Sequence, residues 1–455
     1  MKKRLLTFLL CLGFISLTTI TKAQDVIKLT STATSEMTFG LGVSTIPTVV
    51  SIDWGNGTFV DYTVDKDGSS ASETFEATGT PSGTGEITIK GVGITAFDCD
   101  FNLETPEVVT ALDVTGAVNL TRLTCVSQSI STLDLSYNTA LTRLVINNTK
   151  NKNLTTLKLK DNAALTYLNC SGNNLTAINV EDSPLLDYLN VSDNNISSID
   201  YSKNTVVRDL YLQNNKIATL DDSVWPSLTK LRTLNVSGNL LTSLVGTDAF
   251  AAKTSFTFNC SKNYLNIATL PQPGSLSARF NYAPQAAYEI PESIQENAEL
   301  DLSSQNNVKG VLATPVATTY TWTTESGTAL VVNDDYTEAD GKFTFLKPQT
   351  EKVVCSMTTT AFPKFTGDNV FKTTPMAVLA STGIGEGVKD AINIYARENI
   401  LYINGLNGYE RINVINLQGV SVYSTIAAGA EISTELPSGI YIVSVDGNAS
   451  KVIIK

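Results

Sequence analysis

Apolar and polar positions along this chain follow a frame that repeats. Residues 165–178 read LTYLNCSGNNLTAI, residues 186–199 read LDYLNVSDNNISSI and residues 207–220 read VRDLYLQNNKIATL. Apolar residues hold positions one, four, six and eleven, and an amide holds position nine. Successive segments begin 21 residues apart, and self-similarity at a fixed period is the mark of stacked structural repeats. Eight copies start at Ile94, Leu120, Leu141, Leu165, Leu186, Val207, Leu231 and Ser255. Position six holds Cys99, Cys125, Ile146, Cys170, Val191, Leu212, Val236 and Cys260; position nine holds Asn102, Gln128, Thr149, Asn173, Asn194, Asn215, Asn239 and Asn263. The pattern predicts a short strand in each repeat. It makes the cysteines small buried hydrophobes in one core column. Cys99, Cys125, Cys170, Cys260 and Cys355 are all expected to be reduced, since even on neighbouring coils the Cβ directions of Cys99 and Cys125 should run parallel. The asparagines are expected to bond backbone groups in the turn that leaves the strand, because buried polar groups need partners.

A second apolar run follows in most copies, as in ISTLDLSYNTAL (130–141), and puts Leu133, Leu157, Ile178, Ile199 and Leu220 in one column. It predicts an extended return rather than a long helix. The whole frame, L-x-x-L-x-L-x-x-N-x-L, resembles that of leucine-rich repeat proteins of bacterial surfaces, over about 94–270. The resemblance implies a mainly β, short-repeat solenoid with an arc of roughly 40 Å, from eight strands at ~4.8 Å spacing. Its end turns then need caps.

The flanks also read as β. Residues 24–93 alternate around the hairpin signal Asn56-Gly57. Their Trp54-Gly55-Asn56-Gly57 turn is similar to that of PKD-like domains, which suggests a β-sandwich cap. A calcium site at Asp53 or Asp61 competes there with a simple solvated loop. Residues 282–380 set Trp322 and Cys355 33 residues apart, which resembles the core tryptophan and second cysteine of an immunoglobulin-like sandwich. The first cysteine of that fold is missing.

Residues 1–23 carry Lys2, Lys3 and Arg4, an apolar run from Leu5 to Leu17 and Ala23 at a cleavage position, so they read as a signal peptide. No later run is long enough for a spanning helix. Residues 381–389 read as a Gly-rich linker. Residues 390–455 contain Ile392-Asn393-Ile394-Tyr395, a turn at Gly419, Gly439-Ile440-Tyr441-Ile442 and the terminal Lys451-Val452-Ile453-Ile454-Lys455. These pieces resemble the C-terminal sorting domain of type IX secretion cargo, although Ala396-Arg397-Glu398 stands where that family has Pro-Asn-Pro. The resemblance implies the type IX machinery as a partner, removal of the domain, and a final place outside a gram-negative cell.

Charge and chemistry narrow the function. The chain has 32 basic and 44 acidic residues, a net charge of −12. Without 1–23 it has 28 basic residues and a net charge of −16, which argues against nucleic acid. It contains no histidine, so Ser-His-Asp and Cys-His catalysis and His-bearing zinc sites are excluded. Asp98 and Asp100 share a face at strand spacing and could serve a glycosidase, but acids at a repeat edge are more simply solvated. No cofactor is expected, and the chain reads as non-enzymatic. Positions three, five, seven and eight are expected to face outward on the concave side. They set Arg122, Arg143, Tyr167, Tyr188 and Tyr211 among Asn147, Asn169 and Asn190. Tyr and Arg are typical interface anchors, and aromatic rings beside amides also suit sugars. The reading is a secreted or surface-attached adhesion protein that binds a protein ligand, with polysaccharide capture as the alternative and an enzyme of unknown type behind both.

Overall fold

The computed structural model of the chain describes residues 23–82, 85–99, 108–148, 152–244, 255–271, 279–312, 314–381, 392–397, 399–446 and 448–454. The leader through Lys22, most of the linker, Asp100, Asn102 and Thr149 lie outside them.

The repeat frame folds as its periodicity dictates. Strands Ile94–Asp98, Arg122–Thr124, Arg143–Val145, Tyr167–Asn169, Tyr188–Asn190, Asp209–Tyr211, Thr233–Asn235 and Thr257–Asn259 pair side by side, all parallel. A ninth strand, Phe280–Asn281, extends the ladder by one beyond the eight copies read from the frame. Each strand buries position four, from Phe97 through Leu168 and Leu189 to Phe280. The returns are mostly turns and irregular chain rather than extended, with one parallel pair, Thr132–Asp134 on Thr156–Lys158, and a 3-10 helix at Asp222–Ser227. No α-helix occurs among the described residues.

The position-nine amides tie the coils together. Asn194 is buried; its Nδ2 donates to the carbonyls of Cys170, Val191 and Ser192, while its Oδ1 accepts from the Leu175 N–H. Asn173, Asn215, Asn239 and Asn263 donate in the same way, to their own coil and the one before. Gln128 takes this place in the second coil, and Gln285 in the ninth. The residue before the amide is left-handed in most described coils: Ser127, Gly172, Asp193, Asn214, Gly238 and Lys262 have φ between 54° and 70°. That conformation favours Gly, Asn and Asp. At Gly172 a Cβ would also stand 1.8 Å from the Asn148 carbonyl oxygen.

A second ladder runs on the return side. Asn138, Asn162 and Asn204 are wholly buried, and each Nδ2 donates to two carbonyls of the preceding coil or its turn. These asparagines stand three residues before a repeat start. Threonines make a third: Thr121, Thr142 and Thr166 each donate to the threonine carbonyl of the coil before.

The N-terminal strands close the first edge. Met37–Val43 pairs antiparallel with Ile94–Asp98 and with Phe75–Gly79, so the solenoid sheet runs on to eleven strands. A five-stranded sheet that includes Asp25–Ser31, Thr48–Asp53 and Val109–Gly116 lies in the same N-terminal region. Trp54 stacks on Phe39 at 5.2 Å, and Phe39 meets Phe97 of the first repeat at 5.4 Å. One apolar core therefore runs from Ile27 through the solenoid to Val378. Asp53 is spent on its own turn: Oδ1 accepts from the N–H groups of Gly55, Asn56 and Gly57. Asp61 accepts from Ser51. Among the described residues no group of three or more acids, cysteines or histidines is placed to hold a metal.

The cysteine column corrects one expectation. All five cysteines after the leader were expected to be reduced, but Cys99 and Cys125 form a disulfide. Both stand one residue past paired strands in the register Asp98↔Thr124. Their Cα atoms are 5.1 Å apart, within disulfide reach. The expected parallel side-chain directions apply inside strands, not past their ends. Cys170, Cys260 and Cys355 are free and buried. Burial pushes the Cys170 and Cys355 thiols up to about 12, and raises that of Cys260 as well.

Beyond the solenoid, Thr319–Thr324 pairs with Val353–Thr358 so that Trp322 lies directly opposite Cys355, both fully buried. The chain divides into Met1–Leu379 and Ala380–Lys455. The second unit has a three-stranded and a four-stranded antiparallel sheet, with Leu401, Ile403, Val414 and Val443 in a core of its own.

Two outcomes follow. Asn194→Ala leaves the Leu175 N–H unpaired and removes three donated bonds. Stability in urea unfolding should fall by about 2–4 kcal/mol, and a loss below ~1 kcal/mol would refute the ladder's structural role. Thiol titration of denatured, unreduced protein lacking the leader should find the three thiols of Cys170, Cys260 and Cys355, and reductant should release the other two.

Candidate binding face on the solenoid sheet

Residues three and five of each repeat share the face of the sheet opposite the leucine core, because side chains alternate along a strand. What covers this face decides which of them are available. At the first coils the N-terminal region covers it. Gly68 packs against Gly42 and against the Ala96 side chain so closely that no Cβ fits at Gly68. Thr95 donates to the Asp67 carbonyl.

Arg122 belongs to this covered part, contrary to its expected place in the open strip. It is 6% exposed. Its guanidinium pairs with Asp98 at 3.1 Å and reaches the Ser70 carbonyl at 3.4 Å. The pair also changes the reading of Asp98, which is buried rather than solvated. A buried charge requires a partner, and each of these residues supplies the other's.

From the third coil onward the face is partly open, and four residues form a row. The register Arg143↔Tyr167↔Tyr188 places these three at position three of successive coils. The Arg143 guanidinium lies 3.6 Å from the centre of the Tyr167 ring. Tyr167 and Tyr188 stack 4.3 Å apart, within 4° of parallel. Tyr211 stands at position five, as the partner of Asn190, and meets Tyr188 at 5.5 Å and 47°. Stacked aromatic pairs and a cation over a ring are each favourable by about 0.5–1.5 kcal/mol. The row thus organises itself without a ligand. Burial, then the field of Tyr167, pushes the Tyr188 hydroxyl up to about 12. It stays protonated and uncharged at neutral pH.

Asn169 and Asn190 lie beside the row at position five. Asn169 accepts from the Ser171 N–H and hydroxyl, and Asn190 from the Ser192 N–H. Asn147 is half-buried at the strand exit, where its backbone carbonyl accepts from the Ser127 N–H. Sequence reasoning missed the turn-locking serines, although the recurring Asn-x-Ser at 169–171, 190–192, 235–237 and 259–261 carried the signal.

No helix among the described residues is long and apolar enough to cross a membrane. Residues 205–249 match the family model of Leucine Rich repeats (2 copies). The comparison with curated proteins returns no match. Among solved structures, the chain is similar to the functional domain of InlJ from Listeria monocytogenes, described as including a cysteine ladder. The identity is 19% and the TM-score 0.37, with 60% of this chain and 65% of that one covered. The chain therefore spans just under two thirds of that structure. Strand register, amide ladder and family match agree that the body of this protein is a leucine-rich repeat solenoid.

Proposed function

We propose that the protein is an exported, non-enzymatic binding protein that holds a protein ligand on the open face of its solenoid sheet. The observation that carries this is the preformed row of Arg143, Tyr167, Tyr188 and Tyr211. Rigid aromatic and Arg anchors supply contact area at little entropic loss. The same geometry weighs against sugar stacking. Tyr167 has Arg143 on one ring face and Tyr188 on the other, so it turns edges and hydroxyl, not a free face, toward a ligand.

Export is supported by the basic and apolar leader, and by the Cys99–Cys125 disulfide, which suits an oxidising compartment. The β-unit from Ala380 to Lys455 fits a type IX sorting domain, with delivery to the outside of a gram-negative cell. The β-regions on either side of the solenoid serve as cap and spacer. With Asp98 committed to Arg122 and the free thiols buried, we assign no catalytic group.

A pull-down with the 24–380 fragment tests the function directly. Tyr188→Ala and Arg143→Ala should each weaken capture of its protein ligand by about 1–3 kcal/mol. Lys158→Ala, on the return side where Lys158 pairs with Asp134, should leave capture unchanged. Equal binding by all variants would move the site to a flanking domain. For export, the intact mass of native secreted protein should correspond to a chain lacking both ends. A secreted species that ends at Lys455 would contradict the sorting assignment.

A further inference from the structure

The position-five amides have a fixed orientation. Asn169, Asn190, Asn235 and Asn259 lie in one register column, broken only by Tyr211 between the second and third. In all four, Oδ1 accepts a backbone N–H two residues on, from Ser171, Ser192, Ser237 and Ser261, at 3.0–3.2 Å. A backbone N–H only donates, so the atom facing it must be the amide oxygen. The NH2 groups are therefore turned away from the turn. Asn190 shows where one goes: its Nδ2 lies 3.5 Å from the Tyr188 hydroxyl. All four residues are half-buried on the open face. The face is thus lined by a column of donors whose acceptor ends are already used.

Arg143 stands beside the head of this column, at position three of the coil before Asn169. Its guanidinium is packed on Tyr167, and it has no ion-pair partner among the described residues. Three other cations of the solenoid pair with an acid of the neighbouring coil: Arg122 with Asp98, Lys158 with Asp134 and Arg208 with Asp187. The one carboxylate in the position-three column beside the row is Asp209.

Resting on the reading of this face as the binding site, we propose that it selects an extended, acidic peptide segment. Backbone carbonyls of the segment accept from the amide column, and a carboxylate meets Arg143. An extended chain without secondary structure carries unpaired carbonyls that require donors. A carboxylate is the natural partner of a planar guanidinium. Folded surfaces offer few free carbonyls, and sugars find no open ring face at Tyr167.

The substitution Asn→Asp tests this cleanly. An aspartate keeps an oxygen for the serine N–H and so preserves the turn, but it replaces the outward donor with an acceptor. The probe is a library of unstructured peptides made in matched Glu and Gln versions, with a glycan array alongside, against the full chain. Binding should favour Glu peptides over their Gln twins by at least about tenfold, and Arg143→Gln should erase that preference. The double variant Asn190→Asp/Asn235→Asp should bind at least about tenfold more weakly than the parent, with an unchanged unfolding midpoint. If that variant does not fold, the Arg143→Gln comparison decides alone. Equal binding of Glu and Gln peptides, binding of glycans only, or no peptide binding at all overturns the proposal. If Tyr188→Ala weakens peptide binding while the Asn→Asp variant and the Glu/Gln exchange have no effect, the donor column is wrong and the face remains the site. If Tyr188→Ala also has no effect, both readings fall.

Discussion

The structure depends on one requirement: a solenoid that turns sharply after every three-residue strand must satisfy the backbone groups that the turn strands in its interior. The position-nine amide meets it. An asparagine has two donors and an acceptor at the end of a short stem, and here all are used. From the fourth coil on, each position-six carbonyl receives amides from two successive coils, as the Cys170 carbonyl does from Asn173 and Asn194. The bond between coils is therefore not only the strand ladder but a second, buried polar line parallel to it. Aspartate would bring a charge and no donors, and leucine would leave the N–H of the preceding coil unpaired. The conformation one residue earlier follows from the same demand, since a left-handed residue is what aims the amide back into the coil.

The way the solenoid begins determines what its open face can do. The N-terminal strands pair onto the first repeat, and the region around Gly68 lies over the outward side of Ala96 and Arg122. The first two coils are thereby given over to the cap. Arg122 and Asp98 neutralise each other in the buried space this creates. Arg143, one coil further, has the same position in the frame and a different fate: it is half-buried rather than buried, and its guanidinium rests on Tyr167.

Much of this was legible in the sequence, for identifiable reasons. The strand register and the leucine and asparagine columns are fixed by local spacing. So is the proximity of the three tyrosines, because adjacent coils always bring like positions together. What escaped was non-local. Whether position three is open or covered depends on residues 67–70, which are distant in sequence, and only the small side chains at Gly68 and Ala96 hint at the close approach. The Asn138, Asn162 and Asn204 ladder is as periodic, but it sits three residues ahead of Leu141, Leu165 and Val207, outside the eleven positions of the frame. The disulfide was judged from strand geometry, although the two cysteines lie just beyond the strands.

The disulfide has a mechanical consequence. Coils stacked along one axis, when pulled by the two ends of the chain, peel apart in turn, because hydrogen bonds between neighbours are loaded one row at a time. Cys99 and Cys125 are 26 residues apart in sequence, a span of roughly 85–95 Å when extended. That length cannot pay out under tension. A molecule held at one end and loaded at the other would keep its capped first coils intact while later coils yield, and the cap would remain a folded seed from which the stack could re-form.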